Sequence, residues 1–107
     1  MTALLTRGRV VWFQLGDADR KPAVVVSNDH RNRALDSALT ARITSSPKPP
    51  LPSIVPLSAA DPVSGRVLCD DLLEVYSDEV LDDGGALSLP TMLLVDDGLR
   101  HALGLHG

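Results

Sequence analysis

The 107 residues are enough for a single domain, residues 1–107, that buries its own hydrophobic core without a metal or a disulfide. The single cysteine, Cys69, cannot form an intramolecular disulfide, and with no signal-peptide pattern in the chain it predicts a reducing, cytoplasmic location. No apolar run approaches the roughly 18 residues of a membrane span, and the only aromatic residues, Trp12, Phe13 and Tyr76, are too few to stack nucleic-acid bases over several rings.

Charge is unevenly distributed along the chain. Residues 1–50 carry eight Lys or Arg against four Asp, a net charge of +4, whereas residues 51–107 carry two Arg against ten acids, a net charge of −8. This asymmetry predicts one face suited to a phosphate backbone and another that is merely solvated. From charge alone, ordinary soluble surface explains it equally well.

A hairpin is predicted after a short lead-in from Met1 to Thr6. Residues 9–15 alternate β-forming side chains on two faces, which predicts a first strand. Gly16 to Asp19 supply the backbone angles of a turn. Residues 21–28 then predict a buried strand, because Pro22 suits a strand start and a run of valines fits a sheet that is apolar on both sides.

The middle of the chain predicts a third strand with a polar end. Residues 28–36 read as a loop or one short helical turn, and residues 38–44 as a strand. The run Thr44-Ser45-Ser46 puts three hydroxyls at its exit. Residues 47–52 are loop because of their prolines.

The remaining segments complete a mostly β architecture. Residues 53–57 predict an edge strand, since Pro56 removes a ladder hydrogen bond. A turn precedes a strand at residues 66–70, and residues 72–76 predict a further strand after a bend at Asp71. No helix or strand is predicted for the acidic segment from Asp78 to Gly85.

The chain closes with a predicted helix. Ser88 is a suitable N-cap with Pro90 in the first turn. The predicted apolar stripe consists of Leu89, Met92, Leu93, Leu99 and Leu103. The architecture is thus a small barrel or curled antiparallel sheet with a C-terminal helix.

Several enzyme classes lack their motifs in this chain. There is no Gly-rich phosphate loop, no G-x-S-x-G elbow, no paired-cysteine zinc spacing and no H-E-x-x-H. His30, His101 and His106 are scattered and typical of exposed surface. Adjacent acids such as Asp70 and Asp71 make poor metal ligands, because neighbours on a strand point to opposite faces. We therefore expect no metal and no cofactor.

Cations, hydroxyls and one carboxylate stand at the predicted strand ends. Asn28 and Arg33 follow the second strand and favour an anion site there. The other members of the set are Arg20, Lys21, Thr44, Ser45, Arg66 and Asp70. RNA carries its own nucleophile, the 2′-hydroxyl, so a metal-free ribonuclease needs only a base, donors for the phosphorane oxygens and an acid for the 5′-oxygen.

Asp70 is the more natural proton acceptor of this set, because a lysine with an ordinary pKa of about 10.4 is a poor base at neutral pH. Each residue taken singly is still better explained by a structural role. Thr44 can cap a strand end, Lys21 can be a solvated flank and Asp70 can form a turn. The residues alone therefore leave both interpretations open.

Four short motifs follow one another in a telling order. Residues 7–12 read RGRVVW, residues 21–29 KPAVVVSND, residues 43–46 ITSS and residues 67–72 VLCDDL. They resemble, in the same order, the R-G-D-[IV]-[YW], R-P-[VA]-[LV]-V-[VL]-S-[ND], I-T-S-N and V-x-x-D-Q-[IL] motifs of the MazF/PemK/Kid family of toxin endoribonucleases. Residues 89–105 resemble the family's closing helix.

The resemblance implies an SH3-like barrel that dimerises and cuts single-stranded RNA without a metal, leaving a cyclic phosphate and a 5′-hydroxyl. Such cleavage stops translation and growth. It also implies a cognate MazE-like antitoxin, whose flexible acidic and apolar tail wraps the homodimer and blocks the RNA groove. The resemblance further implies that the protein contacts DNA only through the antitoxin complex and that it does not bind a membrane.

Site residues carry over from the family position by position. Lys21 falls at the catalytic Arg, directly before Pro22, and Thr44 falls at the catalytic Thr. Asp70 matches the acid of the Kid branch. The residues expected to contact RNA are Arg20, Ser45, Arg66, Asn28 and Arg33.

Some positions depart from the family pattern. Lys21 lacks the bidentate fork of an arginine, and Arg20, the nearest arginine, points the other way by strand alternation. Leu68 stands where the Kid branch has a cation, for which Arg66 is the expected substitute. The loop at residues 16–20 is shorter than the family's substrate-covering loop, and Arg9 replaces an acid.

Two other functions stay open from the sequence. One is a gyrase inhibitor like CcdB, which shares the fold but uses aromatic and glycine contacts at the end of its helix; this chain ends in Leu105-His106-Gly107, without an aromatic. The other is a catalytically weak or inactive barrel that only binds its antitoxin and the DNA complex. Loss of RNA cleavage on changing Lys21 or Thr44 distinguishes the enzyme from both.

Overall fold

One antiparallel sheet and two α-helices form the structure, a computed structural model that describes residues 5–17 and 19–106. The elements are β1 (Arg9–Gln14), β2 (Arg20–Val25), α1 (Asp29–Leu35), β3 (Ser37–Thr44), β4 (Ile54–Pro56), β5 (Arg66–Tyr76), β6 (Val80–Ala86) and α2 (Leu89–Leu103). Residues 1–4 of the predicted lead-in and Ala18 of the predicted turn lie outside the described residues.

The strand order β4-β5-β3-β2-β1-β6 fixes the kind of sheet. Each of β4 and β6 pairs on one side only, so the sheet described here is open rather than a closed barrel. The predicted antiparallel sheet with a C-terminal helix is confirmed. So is the edge position of the strand that contains Pro56.

The β1–β2 hairpin supplies side chains to cores on both faces of the sheet. Val10 and Val24 are cross-strand partners and pack, fully buried, with Val95 of α2. Val11 points to the opposite face and packs with Val25. Each buried valine contributes about 1.5–3 kcal/mol, so the valine run that predicted this hairpin also holds it in place.

Helix α2 begins where the sequence predicts but presents a different face to the sheet. The Ser88 hydroxyl accepts a hydrogen bond from the backbone N–H of Thr91. The buried stripe is Met92 and Val95, with Leu99 packed beside them, because positions three and seven apart share a helix face. The predicted stripe is therefore wrong at Leu89, Leu93 and Leu103, which are all exposed. Neither α-helix of the described residues is long and apolar enough to cross a membrane.

Two segments are more regular than predicted. Helix α1 spans seven residues instead of a loop or a single turn, since the Asn28 side chain accepts from the N–H of Arg31 and caps it. Strand β5 is one strand from Arg66 to Tyr76 instead of the two predicted. The predicted bend at Asp71 coincides with a bulge in β5: Ala41 pairs with Leu72 and Arg42 with Leu68, so residues 69–71 lie outside the register with β3.

Strand β6 was not predicted, because its acidic and glycine-rich sequence has no apolar alternation. It pairs with β1, where Arg9 forms an ion pair with Asp83, and Arg20 of β2 forms one with Asp82. Of the six ion pairs among the described residues, five join a cation of residues 1–50 to an acid of residues 51–107. The charge asymmetry of the sequence is thus largely neutralised within the fold.

Asp61 fastens the loop between β4 and β5 to the start of α2. Its carboxylate accepts from the backbone N–H of Ser88 and the hydroxyl of Thr91, both at 2.8 Å, and from the N–H and hydroxyl of Ser58. Burial opposes ionisation of this carboxylate, but the hydrogen bonds outweigh it and lower its pKa from 3.8 to about 2. The position of the following residues, 62–64, therefore depends on a charged anchor.

We predict that Gly98→Ala lowers the free energy of unfolding by about 1–3 kcal/mol through overpacking, although alanine is the better helix former by about 1 kcal/mol. A Cβ at Gly98 would lie 2.7 Å from the sulfur of Cys69 and 3.2 Å from Val55 Cγ2. Urea denaturation measures the loss. The penalty should shrink in a Cys69→Ala background, and a Gly98→Ala variant as stable as wild type would contradict this packing.

We also predict that Asp61→Ala lowers stability by about 1–2 kcal/mol at neutral pH, because it removes a hydrogen-bonded but partly exposed carboxylate. A depressed pKa stabilises the fold fully above the ordinary value and ceases to do so as pH falls through the folded value. The wild-type advantage should therefore vanish between about pH 4 and pH 2. Asp97→Ala, which removes an exposed ion pair with Arg100, is the control, and a difference that persists at the acid end would refute the anchor.

Candidate functional site

The candidate site lies where β2 and β3 stop pairing. The last partners at this end of the two strands are Ala23 and Arg42. Continued by two residues, the same register brings Lys21 opposite Thr44. Opposite residues and residues two apart share one face of a sheet, so Lys21, Arg42 and Thr44 project from the same face.

A cavity of about 540 Å³ lies at this point. Its walls are residues 20–22 of β2, residues 42–46 at the end of β3, residues 62–64 of the loop that Asp61 anchors, and Trp12 of β1. Loop and strand ends thus form the walls jointly. The predicted site residues in the lining are Arg20, Lys21, Thr44 and Ser45.

The position of Thr44 is fixed by contacts with the residues around it. Its hydroxyl oxygen accepts from the backbone N–H of Ser46 at 3.1 Å, and Arg66 is its cross-strand partner on β5. Gly65 lies against it so closely that a Cβ there would be 2.3 Å from the Thr44 carbonyl oxygen, and the φ of Gly65 is +117°. Only glycine fits this position, which fixes the backbone on which the threonine stands.

Two cations beside Thr44 carry charge that the fold does not neutralise. Among the described residues, neither Lys21 nor Arg66 forms an ion pair with a carboxylate. Arg66 donates to the carbonyl of Ser46 at 3.4 Å, which brings it to the cavity edge. Arg20 is different, because it pairs with Asp82 at 3.2 Å. The uncompensated charge at the cavity suits an anionic ligand.

Asp70 lies on β5 but is not part of the cavity wall. It is exposed, and the carboxylate that approaches a wall residue is its neighbour Asp71, whose Oδ2 lies 3.5 Å from Nη1 of Arg42. Burial, and then the charge of Asp70, raises the pKa of the Cys69 thiol to about 11. Cys69 is therefore protonated at neutral pH and is no nucleophile.

The two other predicted RNA contacts lie elsewhere. Asn28 caps α1, and Arg33 is exposed in the last turn of that helix. Neither lines the cavity. The role of Asn28 as the N-cap of α1 is a structural reason for an asparagine at this position. Asn28 and Arg33 therefore do not share the cavity with Thr44.

The wall residues that the sequence analysis did not predict as site residues include Arg42 and Trp12. Arg42 precedes Thr44 by two positions, so strand alternation alone could have put it on the same face. Trp12 is the partner of Pro22, a fact that only the register reveals. The guanidinium carbon of Arg20 lies 5.6 Å from the centre of the Trp12 ring, within the range of a cation–π contact. Within residues 5–17 and 19–106, no three His, Cys, Asp or Glu side chains are grouped as a metal site.

Comparison with known proteins agrees with the motifs. The model of a family described as a PemK-like, MazF-like toxin of type II toxin-antitoxin systems matches residues 6–103. Endoribonuclease MazF1 of Mycobacterium bovis and endoribonuclease MazF4 of Mycobacterium tuberculosis are each 33% identical over 99 residues, which is 92% of this chain and 92% of theirs.

Similar solved structures agree with this family match. A mycobacterial endoribonuclease in complex with its cognate antitoxin has a TM-score of 0.89 at 32% identity, over 95% of this chain and 97% of that one. MazF in a MazE–MazF complex from Deinococcus radiodurans has a TM-score of 0.79 at 25% identity, over 94% and 96%. The chain belongs to the PemK-like, MazF-like family of toxins of type II toxin–antitoxin systems, and it is an endoribonuclease toxin of that family.

Proposed function

We propose that the chain cleaves single-stranded RNA in the cavity between β2 and β3, without a metal. The main support is that Lys21 and Thr44, each two residues beyond the last paired residues of β2 and β3, both line the cavity. Among the described residues, neither Lys21 nor the nearby Arg66 forms an ion pair with a carboxylate. This arrangement suits a phosphate whose charge increases during a reaction. The 2′-hydroxyl of the RNA itself is the nucleophile.

The reaction needs few protein groups, because the RNA supplies the nucleophile. The 2′-oxygen bonds to the adjacent phosphorus and its proton goes to a base, while the P–O5′ bond breaks and the 5′-oxygen takes a proton from water or a neighbouring acid. The products are a cyclic phosphate and a 5′-hydroxyl. Thr44 as a hydroxyl donor and Lys21 as a cation stabilise the phosphorane oxygens, and such donors are worth about 10²–10³ in rate each.

A carboxylate of β5 is the proposed base. Asp70 is exposed, forms no ion pair among the described residues, and follows Leu68, the cross-strand partner of Arg42, by two positions. It lies outside the cavity wall, on the strand that pairs with the end of β3. Bound RNA would bring its 2′-hydroxyl to this carboxylate.

The walls also suit the rest of an RNA strand. Arg20 and Ser45 line the cavity and Arg66 bounds it, which provides donors for phosphates on either side of the cut. Trp12 offers a ring on which a base can stack, a contact worth about 1–3 kcal/mol. One ring suits recognition of a short site rather than a long stacked strand.

Partners follow from the family. Two of the matched structures are toxins bound to antitoxins, and we propose that this chain forms a homodimer that a MazE-like antitoxin inhibits in the cytoplasm. DNA would be bound only through that antitoxin complex. The exposed leucines of α2, among them Leu89 and Leu93, offer apolar surface for such assembly.

The alternatives are weaker. A CcdB-like gyrase inhibitor has no support in the family match, since the relatives at this identity are endoribonucleases. An inactive binding module differs from the proposal in one measurable respect, which is RNA cleavage by the purified chain.

We predict that Thr44→Ala slows RNA cleavage by about 10²–10³-fold, because it removes one donor to the phosphorane. Thr44→Ser keeps the hydroxyl and should stay within about tenfold of wild type. The assay incubates a long single-stranded RNA with the protein in EDTA and maps the ends. The downstream fragments should accept phosphate from polynucleotide kinase directly, as 5′-hydroxyl ends do.

Ser77→Ala is the matched control, since it removes a hydroxyl that bonds to Asp36 away from the cavity. Equal cleavage by wild type and Thr44→Ala would reject the proposed site. A folded wild-type protein that cuts no RNA at any concentration would reject the proposed activity and favour the binding module.

A further inference from the structure

We propose that Arg42 is a substrate-binding residue of this site, and that its guanidinium holds the phosphate at the scissile bond together with Lys21. This inference rests on the proposed RNA cleavage and adds to it a residue outside the four sequence motifs. Three observations support it: Arg42 lies in the cavity wall, some donors of its guanidinium have no acceptor, and Lys21 cannot bind two oxygens of one phosphate as an arginine can.

The position of Arg42 is central to the cavity. It is the last residue of β3 that pairs with β2, it precedes Thr44 by two residues, and its partner Ala23 follows Lys21 by two. Lys21, Arg42 and Thr44 therefore project from one face of the sheet. All three also line the cavity.

The guanidinium of Arg42 has unused donors in a partly buried setting. The side chain is 21% exposed, and its one ionic partner among the described residues, Asp71, lies at 3.5 Å, the outer limit of a hydrogen bond. Its Nε is buried and has no acceptor within the part of the chain that the structure describes. A buried polar group without a partner costs free energy, so this arginine is set up to gain from an added anion.

Two other arginines, Arg31 and Arg9, differ from Arg42 in the partners of their guanidinium groups. Arg31 donates to Ser37, Asn32 and Glu74 at 3.1–3.3 Å. Arg9 has a buried, unpaired Nε as well, but it forms a close ion pair with Asp83 and does not line the cavity. Arg42 alone among the described residues combines a buried, unpaired Nε with a place in the cavity wall.

The chemistry of the site calls for such a group. A lysine is a point charge, whereas an arginine presents parallel N–H donors that match two oxygens of one phosphate. The cation that Leu68 does not supply was expected from Arg66. Arg42 is the direct cross-strand partner of Leu68, so β3 delivers a guanidinium to the place that β5 leaves apolar.

The test measures binding of an RNA that cannot be cut. The probe is an oligonucleotide that contains the mapped cleavage site, with 2′-deoxyribose at the cleaved nucleotide. A second probe carries a neutral methylphosphonate in place of the scissile phosphate. The proteins are wild type, Arg42→Met, Arg42→Lys and the control Arg100→Met, which removes an exposed arginine of α2.

We expect Arg42→Met to bind the charged probe at least about tenfold more weakly than wild type, the size of one or two charge-assisted hydrogen bonds. Arg42→Lys should lie between them. On the methylphosphonate probe all four proteins should agree within about twofold, because the charge that Arg42 binds is gone. Arg100→Met should match wild type on both probes, and thermal unfolding verifies that each variant is folded.

Two results would overturn the assignment. Wild-type affinity of Arg42→Met for the charged probe, while wild type cleaves RNA, refutes the role of Arg42 and leaves the proposed activity intact. An equal loss on both probes means that Arg42 supports the fold and does not bind this phosphate. If Arg42→Met does not fold, Arg42→Lys decides the question by the same comparison. A wild-type protein that neither binds nor cleaves RNA removes the proposed function, and this inference with it.

Discussion

The pairing of β2 with β3, and its end at Ala23 and Arg42, is the constraint on which the site depends. Valines on both faces of β2 anchor it between two cores, so its register cannot slip by one residue without exposing buried side chains. Lys21 and Thr44 each lie two residues beyond the last pair of that register, and both line the cavity. The loss of pairing beyond it opens the cavity, and the same geometry therefore produces both the stability of the hairpin and the shape of the site.

Electrostatics sort the cations of the chain into two groups. Arg7, Arg9 and Arg31 hold distant segments together through acids of the C-terminal half. Within residues 5–17 and 19–106, Lys21 and Arg66 form no ion pair with a carboxylate. Lys21 lines the same cavity as Thr44, and Arg66 is the cross-strand partner of Thr44. A net charge of −4 is therefore compatible with RNA binding, because six of the fourteen acids lie in ion pairs while a local excess of positive charge remains at the cavity.

Much of this could be predicted from the sequence, and the failures have physical causes. Local patterns were enough for the β1–β2 hairpin and the start of α2. Short motifs singled out Lys21 and Thr44, both of which line the cavity. Strand β6 was missed because its acids are stabilised by arginines on other strands. The buried stripe of α2 differs from the predicted one because a leucine is not by itself a sign of burial, and Leu89 is 81% exposed. Strand alternation puts Arg42 on the face of Thr44, but its pairing with Leu68 exists only in the register.

The structure of the protein bound to a 2′-deoxy-substituted RNA would show where the scissile phosphate lies. We expect this phosphate in the cavity, with its oxygens within about 3 Å of the Thr44 hydroxyl and the Lys21 ammonium. A strand bound elsewhere, for example along α1 at Arg33, with the cavity left to solvent, would contradict it.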